Sequence, residues 1–168
     1  MFVDNIKTGN IPEKEVFENL LRDIESVLEE NTPLLSNLSN FIALIKDSFP
    51  KISWIGYYFA KDDILYLGPF QGKVACTKIK LGNGVCGTSA EKRKTIIVED
   101  VHKFPGHIAC DSGSNSEIVV PIVQDSRLIG VLDLDSYRFN AFSEIDKIYL
   151  EKLIKLLTDK VNFQSLNI

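Results

Sequence analysis

The sequence lacks any hydrophobic run long enough to cross a membrane, since no apolar stretch approaches the roughly 18 residues that a bilayer requires. Residues 1–5 show no basic segment followed by an apolar run, so no secretory signal is predicted. Internal repeats, low-complexity segments and linkers rich in Pro, Gly or Ser are also lacking. These absences predict a single cytoplasmic domain, which 168 residues are enough to form around a hydrophobic core.

Positive charge is scarce as well. The chain has 19 Lys and Arg against 23 Asp and Glu, for a net charge of −4. Short basic clusters at residues 73–80 and 92–94 are typical of a solvated strand edge and a helix end. Without a basic face, the sequence predicts no nucleic-acid partner.

Cysteine is limited to three residues, and none lies in a Cys-x-x-Cys pair. An odd number in a reducing compartment argues against a structural disulfide framework. Cys76 and Cys86 are separated by nine residues, which matches no common zinc-ligand spacing, so no metal site is predicted. Redox catalysis and burial in the core remain open for these thiols. Cys86 follows a glycine at a predicted helix start, where a thiolate is favoured, with burial as the alternative.

Hydrophobic periodicity predicts helices at both ends of the chain and strands between them. The predicted helices span 12–30, 34–49, 85–92 and 143–163, and the predicted strands span 52–59, 64–67, 73–79, 95–98, 118–123 and 128–135. Hairpin connections between the strands predict an α+β fold, with a central antiparallel sheet of about six strands flanked by N-terminal and C-terminal helices.

A long loop between about Glu99 and Ser116 contains Cys110 among polar residues and glycines. Loops of this length inside a compact domain are more often functional than not, and a cysteine destined for the core normally lies in an apolar element. Two histidines, His102 and His107, flank this loop, and we expect them to stabilise it through hydrogen bonds.

Two pairs of residues on predicted strands share a face because side chains alternate along a strand. Asp133 and Asp135 are two positions apart, which indicates either a pocket wall or a solvated strand end. Trp54 and Tyr58 are four positions apart, which indicates either an aromatic pocket wall or ordinary core packing. Neighbouring side chains Ile55, Tyr57 and Phe59 lie on the opposite face and are predicted to enter the core.

Six blocks in the middle of the chain carry a family resemblance. They read GPFQGKVAC at 68–76, GVCGT at 84–88, VEDVH at 98–102, FPGHIACD at 104–111, NSEIVVP at 115–121 and GVLDLDS at 130–136. Together they resemble the free methionine-(R)-sulfoxide reductases, which are built on a single GAF domain. The resemblance covers residues 54–136, about half of the chain. It implies a GAF fold and one domain over 1–168, with N-terminal helices at 1–50, the sheet and catalytic loops at 52–136, and a C-terminal helix at 143–163.

The resemblance implies an oxidoreductase that needs no cofactor and reduces the R epimer of free L-methionine sulfoxide to methionine. It makes Cys110 the nucleophile and Cys76 the resolving cysteine, and it gives Cys86 an auxiliary role in the same pocket. Thioredoxin would return the oxidised enzyme to its dithiol state. A homodimer is the assembly that a GAF domain suggests, although no residue of the sequence indicates one.

The resemblance also assigns the substrate-binding residues, which are the carboxylates Glu117, Asp133 and Asp135 and the aromatic side chains Trp54 and Tyr58. Three crowded carboxylates cannot all ionise easily, so at least one pKa should be raised, and the corresponding acid could protonate the sulfoxide oxygen. Any carboxylate left ionised could pair with the α-ammonium, which peptide-bound methionine sulfoxide lacks. The alternatives are a GAF sensor that binds a small molecule and a protein that only senses redox state; three thiols beside three acids favour the enzyme over the sensor.

Overall fold

Residues 11–108 and 110–166 are described by the structure, which is a computed structural model. The predicted domain limits at residues 1 and 168, and Ala109 of the His-Ile-Ala-Cys-Asp block, lie outside this part of the chain. Its helices are α1 (Glu13–Val27), α2 (Leu34–Ser48), α3 (Gly84–Lys92) and α4 (Glu144–Lys160). Its strands are β1 (Trp54–Lys61), β2 (Ile64–Gln71), β3 (Lys78–Lys80), β4 (Ile96–Val98), β5 (Ser116–Gln124) and β6 (Arg127–Ser136).

The six strands form one sheet in the order β3-β2-β1-β6-β5-β4. Every neighbouring pair is antiparallel. The α+β class, the number of strands and the flanking helices are therefore as the sequence predicts. Among the described helices, none is long and apolar enough to span a membrane.

The two faces of the sheet bury different sets of side chains. Ile55, Tyr57 and Phe59 of β1 pack into a large core with α1, α2 and α4. Trp54 and Tyr58 lie on the other face, in a second cluster covered by α3. The alternation predicted for β1 is confirmed. It places the large core on one face of the sheet, and the opposite face, covered by α3, is available for a functional site.

The last helix begins as the sequence predicts and ends earlier. Ser143 and Asp146 form a capping box, in which the Ser143 backbone N–H donates to Asp146 Oδ2 at 2.8 Å. The helix ends at Lys160 instead of residue 163. The chain is extended at Val161, and Phe163–Ser165 form a separate short 3-10 helix, whose first N–H donates to the side-chain oxygen of Gln124 in β5 at 3.1 Å.

The strand predicted at 73–79 is wrong in its first part, because β3 covers only Lys78–Lys80. Gly72 adopts a φ of 135°, and the indole N–H of Trp54 donates to the Lys73 carbonyl at 3.0 Å. The positive φ of Gly72 and the hydrogen bond from the indole to the backbone both direct the chain away from the hydrogen-bonded strands of the sheet. Consequently Cys76 lies in an irregular segment that packs against the α3 face of the sheet.

Candidate active site

Three carboxylates meet on the α3 face where β5 and β6 are paired. Glu117 is directly opposite Asp135, and Val119 is opposite Asp133. Glu117 and Asp133 are each only 6% exposed, while Asp135 is half-buried. The prediction that Asp133 and Asp135 share one face is confirmed. Of the two alternatives for this pair, the structure has a pocket wall and not a solvated strand end.

Burial and mutual repulsion keep protons on this cluster. Burial raises the pKa of Glu117 well above its ordinary value, and the charges of Asp133 and Asp135 add to the effect. Burial likewise raises the pKa of Asp135 well above its usual range. The pKa of Asp133 is raised by burial to about 6. Crowding of the three acids therefore has the effect expected from the sequence, because the pKa of each carboxyl is raised.

Asp133 also carries a buried oxygen without a partner. Its Oδ1 atom accepts no hydrogen bond from the described residues. A buried carboxylate oxygen normally has a donor, because leaving it bare costs the desolvation free energy of the group. The site therefore contains an acceptor that a cationic or hydrogen-bond-donating ligand could satisfy.

Cys86 lies in the first turn of α3 and is buried, with 4% exposure. Its Sγ atom is 3.9 Å from Glu117 Oε1. Burial raises the pKa of the thiol well above its usual value, and the nearby acids raise it further. Of the two alternatives stated for Cys86, the structure has burial, because loss of solvation and negative neighbours outweigh the favourable effect of the helix terminus on the thiolate.

Cys76 and Cys110 form a disulfide, with their Cα atoms 5.3 Å apart across 34 positions of sequence. Both residues are half-buried. Cys110 lines a cavity that also contains the acids, whereas Cys76 is not among the described residues that line it. The disulfide therefore joins the segment after β2 to the loop between β4 and β5, with the Cys110 side next to the acids.

The cavity beside Cys110 is small. Its wall includes the three acids, Cys86 and Tyr58, and its volume is about 30 Å³. A cavity needs about 10–15 Å³ to hold one water, so this cavity has room for two or three waters at most and not for an amino acid. A larger open groove of about 680 Å³ lies between α4 and β5, and no cysteine is among its described lining residues.

The aromatic pair predicted to line the site is close together. Tyr58 forms part of the cavity wall, and the Trp54 ring lies beside it with centroids 6.1 Å apart. Phe70 also stacks on Trp54, with ring centroids 5.5 Å apart. Gly56 leaves room for this arrangement, since a Cβ there would lie 2.5 Å from the indole ring. Direct contact of Trp54 with a substrate stays a prediction.

The two histidines occupy different environments. His102 Nε2 lies 3.1 Å from Asn115 Oδ1, a hydrogen bond that ties the two ends of the long loop together, as expected. His107 Nε2 is 4.0 Å from Glu117 Oε2 and lines the cavity. Burial lowers the pKa of His107, and the nearby His102 lowers it further, so the neutral imidazole is favoured there.

Sequence reasoning missed a polar network at the rim of the site. Asp111 Oδ1 accepts a hydrogen bond from the Gly113 N–H at 2.9 Å, and Asp111 Oδ2 accepts one from the Tyr137 hydroxyl at 3.0 Å. Lys73 Nζ is 3.5 Å from Asp111 Oδ1 and 5.0 Å from the centre of the Tyr137 ring. The backbone bond from Gly113, the largest cause, helps to lower the pKa of Asp111. The Asp-Ser-Gly order could have predicted the local turn, but not its remote partners.

Three groups in the cavity could offer donor atoms to a metal ion. Cys86 Sγ and one oxygen each of Glu117 and Asp133 lie within 4.8 Å of one another. Metal ligands must lose their protons, however, and burial raises the pKa of all three groups. The electrostatics of the cluster therefore favour protons over a metal ion.

The fold and the position of the site on it define a GAF domain, and the family model described as "GAF domain" matches residues 36–159. GAF domain-containing protein A of Dictyostelium discoideum is 49% identical over 155 residues, which are 92% of this chain and 98% of that protein. The free methionine-R-sulfoxide reductase of Escherichia coli (strain K12) is 46% identical over 143 residues, which are 85% of this chain and 87% of that protein. The chain belongs to the free methionine-R-sulfoxide reductase family of GAF-domain proteins.

A solved structure extends this similarity to three dimensions. The X-ray structure of the free methionine-R-sulfoxide reductase from Neisseria meningitidis, in complex with its substrate, is similar to this chain with a TM-score of 0.86. The two sequences are 43% identical, and the match covers 90% of this chain and 92% of that one.

Proposed function

We propose that this protein reduces free L-methionine-(R)-sulfoxide to L-methionine in the cytoplasm, and that thioredoxin regenerates it. One observation carries the proposal: Cys110, bonded to Cys76, lines a cavity whose wall also contains three acids with raised pKa values. A sulfur nucleophile beside protonated acids is what reduction of a sulfoxide requires. Membership of the reductase family supports the same reaction.

The first step is attack of the Cys110 thiolate on the sulfoxide sulfur. The sulfoxide oxygen is a poor leaving group, so it must gain a proton as the S–O bond breaks. That oxygen is transferred to Cys110, which becomes a sulfenic acid while the sulfoxide is reduced to a thioether. One proton is consumed, and Glu117 or Asp135 can supply it, because the pKa of each is raised well above the ordinary range.

Asp133 is assigned the substrate ammonium. With a pKa of about 6 it is the ionised member of the cluster at neutral pH, and its Oδ1 atom lacks a hydrogen-bond donor among the described residues. An α-ammonium would supply both charge and donors to this oxygen. Methionine sulfoxide within a peptide has no α-ammonium, so this pairing would account for a preference for the free amino acid.

The second step is attack of the Cys76 thiol on the Cys110 sulfenic acid, which releases water and forms the disulfide. Cys86 is less suited to this role, because burial raises the pKa of its thiol and the thiolate is the reactive form. Cys86 then acts as an uncharged wall of the pocket near Glu117. A protein dithiol completes the cycle by thiol–disulfide exchange.

A reductase assay tests the assignment. The purified protein is given dithiothreitol and free L-methionine-R-sulfoxide, and the methionine formed is measured. We expect turnover by wild type and none by Cys110→Ser, whereas Cys76→Ser completes a first turnover and then cycles slowly with thioredoxin. Cys86→Ser serves as the matched control and should keep cycling. Equal activity in Cys110→Ser would remove that residue from the mechanism, and an inactive wild type would favour a ligand-binding sensor.

The ammonium assignment is tested with N-acetyl-methionine-R-sulfoxide, which keeps the reacting group and lacks the cation. Wild type should strongly prefer the free amino acid, and Asp133→Asn should lose most of that preference through a higher KM for the free substrate. An unchanged preference in Asp133→Asn would assign the ammonium to another group. The homodimer suggested by the GAF resemblance stays a prediction that light scattering can check.

A further inference from the structure

Exposed hydrophobic side chains are concentrated around the disulfide. Among the described residues, seven large hydrophobic side chains are exposed, and three of them flank the two cysteines, namely Val74, Ile108 and Tyr137. Val74 is two positions before Cys76, and Ile108 is two positions before Cys110. The Tyr137 hydroxyl bonds to Asp111, the residue after Cys110. Exposed apolar groups gathered at one place commonly mark a binding surface.

Val74 is the most exposed member, at 86%, and its backbone is anchored. The Lys73 carbonyl accepts a hydrogen bond from the Trp54 indole, and a Cβ at Gly72 would lie 2.4 Å from that same ring. The segment is thus fixed against the buried aromatic cluster, while the side chain of Val74 projects into solvent. A preformed apolar contact of this kind lowers the entropic cost of binding a partner.

The two sulfur atoms differ in their surroundings. Cys110 borders the cavity with the acids, whereas Cys76 belongs to the irregular segment that carries Val74. Thiol–disulfide exchange proceeds by attack of a thiolate on one sulfur and departure of the other. A large reductant that binds at Val74 would therefore attack Cys76 Sγ. Cys110 would then be the leaving thiolate, next to the substrate pocket.

We propose that Val74, Ile108 and Tyr137 form the docking surface for a protein dithiol reductase of the thioredoxin class, which attacks Cys76 Sγ. This inference rests on the proposed function and specifies how the disulfide is reopened. The first reductase thiolate bonds to Cys76 Sγ, the Cys76–Cys110 bond breaks, and Cys110 leaves as a thiolate. The second reductase thiolate then attacks the first reductase sulfur, and Cys76 leaves as a thiolate that takes up a proton. The reductase is left with its own disulfide, and two electrons have passed to the enzyme.

Separate reductants test the surface. For Val74→Ser, we expect kcat/KM toward thioredoxin to fall about fivefold or more, the loss that marks the minority of interface residues on which binding depends. Turnover supported by dithiothreitol should stay at the wild-type level, because a small dithiol needs no docking surface. Val74→Leu should retain thioredoxin-linked activity. Leu35→Ser is the matched control, since Leu35 is 63% exposed on α2, and it should match wild type.

The outcomes separate the two proposals. Equal loss with both reductants, or no loss with thioredoxin, would overturn the docking surface, while turnover by wild type would still support the proposed function. Absence of dithiothreitol-supported turnover in wild type would instead overturn the proposed function.

The attacked sulfur is identified by trapping. Oxidised protein is mixed with a thioredoxin variant in which the second active-site cysteine is replaced by serine, so that the mixed disulfide cannot be resolved. Peptide mass mapping should find thioredoxin attached to Cys76, with Cys110 free to react with iodoacetamide. Attachment at Cys110 would overturn the assignment of Cys76 as the sulfur attacked.

Discussion

Lys73 Nζ lies 3.5 Å from Asp111 Oδ1, so an ion pair connects the segment that precedes Cys76 with the loop that carries Cys110. The Tyr137 hydroxyl bonds to the same carboxylate, and the Tyr137 ring lies under the lysine. When the disulfide is reduced, these contacts remain available to hold the two loops near one another. The network therefore favours the closing of the disulfide after the first turnover.

Replacing Lys73 with Met should slow disulfide formation about two- to fivefold, because exposed ion pairs make modest contributions. The rate of methionine formation in the first turnover should be unchanged, and more Cys110 sulfenic acid should be trapped by dimedone. Lys78→Met is the control, since Lys78 is also an exposed lysine near Cys76 in the sequence, but its Nζ lies 5.7 Å from the Tyr66 ring centre and not beside Asp111. The same rate of closure in both variants would show that the ion pair does not position the loops.

The disulfide form should not bind methionine. Its cavity of about 30 Å³ has room for two or three waters at most, so the loop that carries Cys110 must move before an amino acid can enter. Calorimetric titration of L-methionine should give heat with Cys110→Ser, which cannot form this disulfide, and none with the oxidised wild type. Equal affinities would mean that the disulfide does not limit access to the pocket.

Replacing Glu117 with Gln should lower the first-turnover rate about 100-fold, the lower range for loss of a general acid. Burial raises the pKa of Glu117, so wild type keeps this proton to higher pH than an ordinary glutamic acid does. Stopped-flow measurements at several pH values should show the alkaline decline in wild type and its weakening in the variant. Glu99→Gln, an exposed loop substitution, should behave like wild type. Wild-type kinetics in Glu117→Gln would make that carboxyl dispensable.

The raised pKa of Asp133 also predicts how stability depends on pH. Its ordinary value of 3.8 becomes about 6 in the folded protein, so the folded state binds more protons than the unfolded state between these limits. Its contribution is therefore fully present below about pH 4 and is lost as pH rises through 6, by roughly 3 kcal/mol. Asp133→Asn should remove this loss and be more stable than wild type at pH 8, as measured by urea unfolding. The exposed Asp63→Asn should change nothing, and a wild-type pH profile in Asp133→Asn would contradict the assignment.

Several parts of this arrangement follow from the order of residues alone. Side chains alternate between the two faces of a strand, so Tyr57 and Tyr58 of β1 lie on opposite faces. For the same reason, Asp133 and Asp135, which are two positions apart on β6, lie on one face. The hairpin between β5 and β6 follows from two apolar runs with a short polar turn. Each of these features depends on local geometry, which is why the sequence was sufficient.

Other features depend on contacts between remote segments. The stretch from Lys73 to Ile79 alternates like a strand, yet its first part leaves the sheet because Gly72 and the Trp54 indole redirect the backbone. The high thiol pKa of Cys86 results from burial under neighbours contributed by β5 and β6. No local pattern encodes these effects, so the sequence predicts a strand that is too long and leaves open whether Cys86 is a thiolate or a buried thiol.

Cys86 gives the protein an internal reference for chemical labelling. Its thiol is enclosed and resists deprotonation, whereas Cys76 and Cys110 are each only half-buried in the disulfide. An alkylating reagent should add two tags to the reduced native chain, none to the oxidised native chain, and a third only after denaturation. A single intact-mass spectrum would thus report the redox state and the conformational integrity of each molecule together.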